Sequence, residues 1–141
     1  MATTFISYSS KDSALAMDLA HRFQKAGLNA VTEKDAAKSA KRGSTPFIDR
    51  RLNNLRRSDE FVVLLTENAI TDPQISFEMG AALSLRKKIT SIIVGVDADK
   101  LPPLLKPKVS IQYAETENYL SKLKKKSRVS AKTHKGATAA I

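Results

Sequence analysis

"EFVVLLTENAITDPQISFEMGAAL", residues 60–83, carries the two patterns that decide the fold. Positions 61–66 are a continuous apolar run closed by a threonine, the signature of a strand buried on both faces. Asp72-Pro73 then opens a helix, because aspartate caps free backbone amides and proline suits the first helical turn. On that helix Ile75, Met79, Ala82 and Leu83 share a face and read as core. A buried strand leading through a short loop into an amphipathic helix is the repeating unit of a parallel α/β sheet. One residue does not fit the pattern: Glu78 is the only ionisable side chain between Asp72 and Arg86.

The alternation continues in both directions. FISYS (5–9) is β-rich and leads into a helix with Leu15, Ala16, Leu19, Ala20 and Phe23 on one face and Gly27 at its end. LNAVTE (28–33) reads as a second strand, followed by the long polar loop EKDAAKSAKRGSTP (33–46) and a helix over 47–57 with Phe47, Ile48, Leu52 and Leu55 inward. ITSIIVGV (89–96) and VSIQY (109–113) supply the fourth and fifth strands, and 115–125 a last helix.

Five β-α units with near-continuous apolar strands imply a flavodoxin-like five-stranded parallel sheet with helices on both faces. Right-handed crossovers and the common doubly wound order give 2-1-3-4-5. In that order the topological switch point lies between strands 1 and 3, where such folds bind ligands. The chain there is 7–11 and 66–78, which brings Glu78 to the crevice. Two readings of Glu78 stay open on pattern alone. It is exposed at the helix start, where a carboxylate complements the dipole. Alternatively it is partly desolvated at the crevice and serves as acid, base or cation stabiliser.

Length and composition bound the rest. The chain has 141 residues, 42% hydrophobic and 27% charged, which suits one globular domain. It has no cysteine, which excludes disulfides, thiolate metal sites and a cysteine nucleophile. The N-terminus lacks the pattern of a secretion signal, and the apolar runs are far shorter than the roughly 20 residues of a membrane helix. A cytoplasmic location without membrane contact is the expectation. His21 and His134 have no second ligand candidate at a recognised spacing, so no metal site is expected. There is no G-x-x-x-x-G-K phosphate loop.

The net charge of +10 is concentrated in residues 121–141, which carry seven basic residues and no acid. That stretch reads as a disordered basic tail after a domain spanning 1–120. It lacks aromatic residues between its lysines, so a nucleic-acid role is not favoured.

FISYSSKD near the start, the basic loop ending RGSTPF, and the run RRSDEFVVLLTENAITDPQISFEMGAAL resemble the Toll/interleukin-1 receptor (TIR) domain, particularly its bacterial form. The resemblance covers about residues 2–120 in the family's order. It implies the same flavodoxin-like fold and an NAD+ glycohydrolase or cyclase activity, with NAD+ as substrate and no cofactor. QISFE matches the family's Trp-x-x-x-Glu segment, which makes Glu78 the catalytic residue. It implies that Tyr8, Ser9 and Ser10 border the nicotinamide and ribose, that Lys41 and Arg42 meet the diphosphate, and that Phe47 and Gln74 line the site. Two positions depart from the family. Gln74 replaces the tryptophan, removing a stacking surface, and Ser9 and Ser10 stand where some relatives carry basic residues.

The resemblance also implies self-association through loop 33–46, activation by assembly or by another TIR or effector protein, and a role in bacterial antiphage defence or virulence. The competing readings are a non-enzymatic TIR–TIR adaptor and a nucleoside deoxyribosyltransferase-like enzyme, which would also cleave an N-glycosidic bond with a glutamate.

Overall fold

The structure, a computed structural model, describes residues 3–32, 45–97, 99, 101–105 and 109–125. Most of loop 33–46 and the basic tail from 126 onward lie outside the described residues. The strands are β1 (Thr3–Ser7), β2 (Asn29–Val31), β3 (Glu60–Leu65), β4 (Lys88–Ile93) and β5 (Ser110–Gln112). The helices are α1 (Ser13–Lys25), α2 (Thr45–Arg57), the single-turn α3 (Glu67–Ile70), α4 (Pro73–Ser84) and α5, described from 116 to 125. All strand pairs are parallel, and the five strands lie in the expected order β2-β1-β3-β4-β5.

Strand alternation divides the core in two. Ile6, Tyr8, Val62, Leu64 and Ile92 face α1 and α5, where Leu19, Phe23, Leu120 and Leu123 cover them. Phe5, Phe61, Val63 and Leu65 face the other way, against Leu55 of α2 and Ile75, Met79 and Ala82 of α4. Right-handed crossovers require this arrangement. The chain runs one way along the sheet from β1 to β2 and the opposite way from β2 to β5, so α1 falls on one face and α2 to α4 on the other. Leu123 is buried, so the packed chain continues past residue 120.

Register places Phe5 opposite Phe61, and their rings stack at 5.8 Å with planes 12° apart. Such a pair contributes about 0.5–1.5 kcal/mol beyond its burial. It also forms a flat aromatic floor under α2. The ends of α1 and α4 follow one rule. Gly27 (φ +80°) ends α1, with Leu28 N–H donating to the Phe23 carbonyl and Gly27 N–H to that of Gln24. Arg86 (φ 55°) occupies the same left-handed position after α4, with Lys87 N–H donating to Ala82 and Arg86 N–H to Leu83. Both are Schellman closures, which satisfy the last carbonyls of a helix.

Three expectations shift. β1 spans Thr3–Ser7 rather than 5–9, because Ser9 already caps a short 3-10 turn over Ser10–Asp12. Leu83, read as core, is 48% exposed, while Ile75, Met79 and Ala82 are buried as expected. On α2, Ile48 and Leu52 are half-buried, and Arg51 sits more deeply than either.

Candidate functional site

Glu78 is buried, with 1% of its surface exposed. The exposed reading of this residue is therefore set aside. It lies in the second turn of α4, on the face that also carries Ile75, Met79 and Ala82. A carboxylate taken out of water is costly unless every lone pair finds a donor. Here three elements supply donors. Ser7, the last residue of β1, donates its hydroxyl to Oε1 at 2.7 Å. Arg51 of α2 donates Nη2 to Oε1 at 2.7 Å and Nε to Oε2 at 2.5 Å. Gln74, one helical turn before Glu78, donates Nε2 to Oε2 at 3.1 Å.

Each carboxylate oxygen thus accepts two hydrogen bonds, four in total. That fills the capacity of about four acceptor sites on an ionised carboxylate. The Arg51 contact is bidentate, the geometry in which guanidinium and carboxylate pair most strongly. Arg51 is itself 2% exposed, and its guanidinium carbon lies 4.5 Å from the centre of the Phe5 ring. A desolvated cation over an aromatic face gains about 2 kcal/mol. The stacked phenylalanines therefore hold Arg51 from below while Glu78 holds it from the side.

Sequence reading did not single out Arg51 or Ser7. The signal for Arg51 was spacing: Ile48, Arg51 and Leu55 recur at i, i+3 and i+7, one face of a helix. The inward face read from the sequence was Phe47, Ile48, Leu52 and Leu55, without Arg51. Ser7 follows from Phe5 by strand alternation, which puts both on the α4 side of the sheet.

The other expected site residues fall as follows. Tyr8 is buried, but one residue on from Ser7, so it packs into the opposite core with α1 and α5. It does not join the Glu78 group, and strand alternation is the reason. Ser9 is buried and accepts from the Lys11 amide, and Ser10 is exposed at the start of the 3-10 turn. Gln74 reaches Glu78, donating to its Oε2. Lys41, Arg42 and the Phe47 side chain lie outside the described residues.

A second polar group lies at the same end of the sheet. Asp12, after β1, accepts from the Thr66 hydroxyl at 2.5 Å and from the Asn68 amide at 2.9 Å, both after β3. It ties together the two chain segments that border the switch point. A surface cleft of about 430 Å³, lined by Asp18, His21, Arg22, Lys25 and Glu117, lies between α1 and α5 on the far face of the sheet from Glu78. There Tyr113 donates to Asp18, and Arg22 pairs with Asp18 at 2.9 Å. Those two contacts hold the Asp18 carboxyl below its usual range. Burial, followed by the bond to Asp18, raises the Tyr113 phenol to about 12. Among the described residues no group of three His, Asp or Glu is placed to hold a metal ion, and no helix is long and apolar enough to cross a membrane.

Residues 4–125 match the family model of the TIR domain. No curated protein matches the chain. Among solved structures, the fold is similar to a 2-deoxyribosyltransferase from Bacillus psychrosaccharolyticus, with TM-score 0.67, 12% identity, and coverage of 84% of this chain and 90% of that one. It is similar to the TIR domain of a Toll-related receptor from Hydra magnipapillata, with TM-score 0.65, 14% identity, and coverage of 81% and 86%. It is also similar to a CMP N-glycosidase from Clostridium botulinum, with TM-score 0.57, 17% identity, and coverage of 86% and 97%. At these identities the likeness speaks for the fold alone.

Proposed function

The chain belongs to the TIR domain family, and from that premise we propose that it cleaves the nicotinamide–ribose bond of NAD+, with Glu78 as the catalytic carboxylate. The observation that carries this reading is a buried glutamate at the carboxyl end of β1, beside the β1/β3 switch point, with its oxygens oriented by Ser7, Gln74 and Arg51. Doubly wound sheets of this order commonly bind ligands at that point, which supports the reading. In the reaction the C–N bond breaks heterolytically, and its electron pair passes to the pyridinium nitrogen, which leaves as neutral nicotinamide. The ribose becomes an oxocarbenium-like cation, and a carboxylate beside it lowers the energy of that charge. Water adds to the cation and releases a proton, giving ADP-ribose. Attack by a ring nitrogen or hydroxyl of the same molecule gives a cyclic product instead. No cofactor takes part.

In this reading Ser9, Ser10, Gln74 and Phe47 border the nicotinamide side, and Lys41 and Arg42 meet the diphosphate. Assembly through loop 33–46 with a second copy or another TIR protein activates the enzyme. Production of a nucleotide signal or depletion of NAD+ would serve cytoplasmic signalling or antiphage defence in a bacterium.

The fold likeness to a 2-deoxyribosyltransferase and a CMP N-glycosidase supports a second reading, in which the same glutamate works on another N-glycosidic bond. NAD+ and a set of deoxynucleosides and nucleotides, offered side by side at high protein concentration, separate the two. Release of nicotinamide from NAD+ alone, falling by orders of magnitude in Glu78→Gln, supports the first. Free base from nucleosides or nucleotides with intact NAD+ supports the second. No turnover of any of them, with protein crowded or assembled, leaves the adaptor reading.

A further inference from the structure

A carboxylate that is to stabilise a developing cation needs a lone pair facing it and a charge that is not already neutralised. Glu78 has neither in this structure. All its acceptor capacity is taken, it is 1% exposed, and a guanidinium cancels its charge. Ser7 and Gln74 are neutral donors that leave the charge intact, and they come from β1 and from α4 itself. Arg51 is the donor that neutralises it, and it comes from α2. We infer that Arg51 is a latch that keeps Glu78 in a resting state, and that activation is the withdrawal of Arg51 by a movement of α2. This inference rests on the NAD+-cleavage reading of Glu78.

The anchoring of α2 gives the movement a direction. Its C-terminal end is pinned. Lys87 donates to the Arg56 carbonyl at 2.9 Å and to the Ser58 carbonyl at 2.6 Å, and Leu55 is 1% exposed in the core. Arg51 lies one turn before Leu55, about 6 Å along the axis. The N-terminal end of α2 directly follows residues 33–44. A pull on that end therefore pivots α2 about Leu55 and lifts Arg51 from Glu78 while Ser7 and Gln74 stay. The Phe5 ring under Arg51 offers the guanidinium a second resting surface, so the cation need not be fully stranded as it moves.

The test pairs a reaction rate with a chemical footprint. Arg51→Gln keeps a polar side chain of moderate length and removes the cation. Dilute native protein and the variant are assayed for nicotinamide release from NAD+. In parallel both are treated with a carbodiimide and glycinamide, and peptide mass spectrometry reads amidation of Glu78 against the exposed Glu67 and Asp97. The expected result is Glu78 protected in the native chain and amidated in Arg51→Gln, with nicotinamide release raised at least about tenfold at unchanged KM. A merely structural pair would lower stability without raising the rate.

Amidation of Glu78 without nicotinamide from any form keeps the latch and overturns the NAD+ reading. Glu78 protected in an Arg51→Gln variant that circular dichroism shows to be folded overturns the latch, as does Glu78 freely amidated in the dilute native chain. Should Arg51→Gln not fold, Arg51→Met serves in its place, because it also removes the cation and leaves an apolar stem to pack over the Phe5 ring. Native-level protection together with a native rate in that variant also overturns the latch.

Discussion

Glu78→Gln is the natural probe of the site, and the structure indicates how much it disturbs the fold before any chemistry is considered. The amide has one acceptor and one NH2 group where the carboxylate had two acceptors. If the amide oxygen takes the Oε1 position, NH2 faces Arg51 Nε and Gln74. Gln74 can turn its own amide to accept, but Arg51 cannot. If the oxygen takes the Oε2 position, NH2 faces Ser7 and Arg51 Nη2. The Ser7 hydroxyl can rotate to accept, and again Arg51 cannot. Either way one Arg51 donor meets another donor, and a buried cation loses its counter-charge.

Breaking one side of a buried ion pair costs about 3–5 kcal/mol, against a total stability of about 5–15 kcal/mol for a domain of this class. The variant should therefore fold, with a clearly lowered urea midpoint and an unchanged slope. Arg51→Met alone and Glu78→Leu alone should each cost a similar amount. The double variant Arg51→Met with Glu78→Leu should recover most of the loss, because apolar residues of similar volume replace a buried pair at little cost. A coupling energy of about 2 kcal/mol or more from this cycle is the expected outcome. Losses under about 1 kcal/mol for both single variants would place the pair among exposed ion pairs and refute the reasoning.

Three further outcomes follow from the same geometry. Arg86 holds a left-handed backbone at the end of α4, so Arg86→Gly should raise stability by about 0.5–1 kcal/mol by thermal melting; a loss would show that the Arg86 side chain outweighs its backbone strain. Ser91 on β4 is fully buried, and its hydroxyl has no hydrogen-bond partner among the described residues, so Ser91→Ala should stabilise by about 1 kcal/mol, and a loss would reveal a partner for that hydroxyl. Burial raises Tyr119 from 10.0 to about 12, and burial with the bond to Asp18 does the same for Tyr113. A raised folded value means that the stability these phenols contribute is complete below pH 10 and is lost as pH rises from 10 to 12. Phenolate absorbance in the native chain should lag that of a free tyrosine over that range, and a coincident titration would show both rings freely solvated.

The order of the sheet was legible in the sequence because each strand is a continuous apolar run and each helix has one apolar stripe. Only one common topology then satisfies right-handed crossovers. The exact strand ends were not legible. Ser7, Tyr8 and Ser9 suit an extended chain equally well, and the hydrogen bond that ends β1 is a local turn formed by Ser9. At the site, the position of Glu78 was legible and its burial was not. Its burial depends on Arg51, which sits 27 residues away and carries the wrong chemistry for a core position. Periodicity marks which face a residue occupies, whereas charge suggests which environment it prefers. Where the two disagree, a partner of opposite charge on a facing element resolves the conflict, and finding it requires knowing which elements face each other. Gln74 shows the converse. Read as the loss of an aromatic surface, it is also the gain of a donor that fixes Oε2.

The setting of the pair weighs on what the chain does. A domain built only to bind another domain has no need of a charged pair in its core, since an apolar pair of the same volume would be as stable or more so. The pair is also not placed where a stabilising element would have most effect. It lies at one end of the sheet, beside the switch point, with Asp12 tying the β1 and β3 segments together at that same end. Its donors come from three separate elements, and one of them, α2, follows directly on the chain that the TIR reading assigns to contacts with a partner. A carboxylate held by two neutral donors and cancelled by one cation can exist in two states: neutralised and hidden, or charged and aligned. Ser7 and Gln74 keep its orientation in both, and Arg51 selects between them. That division is what an enzyme switched on by assembly would require. An adaptor would gain nothing from it, so the effect of Arg51→Gln on rate, rather than on stability, is the measurement that separates the two.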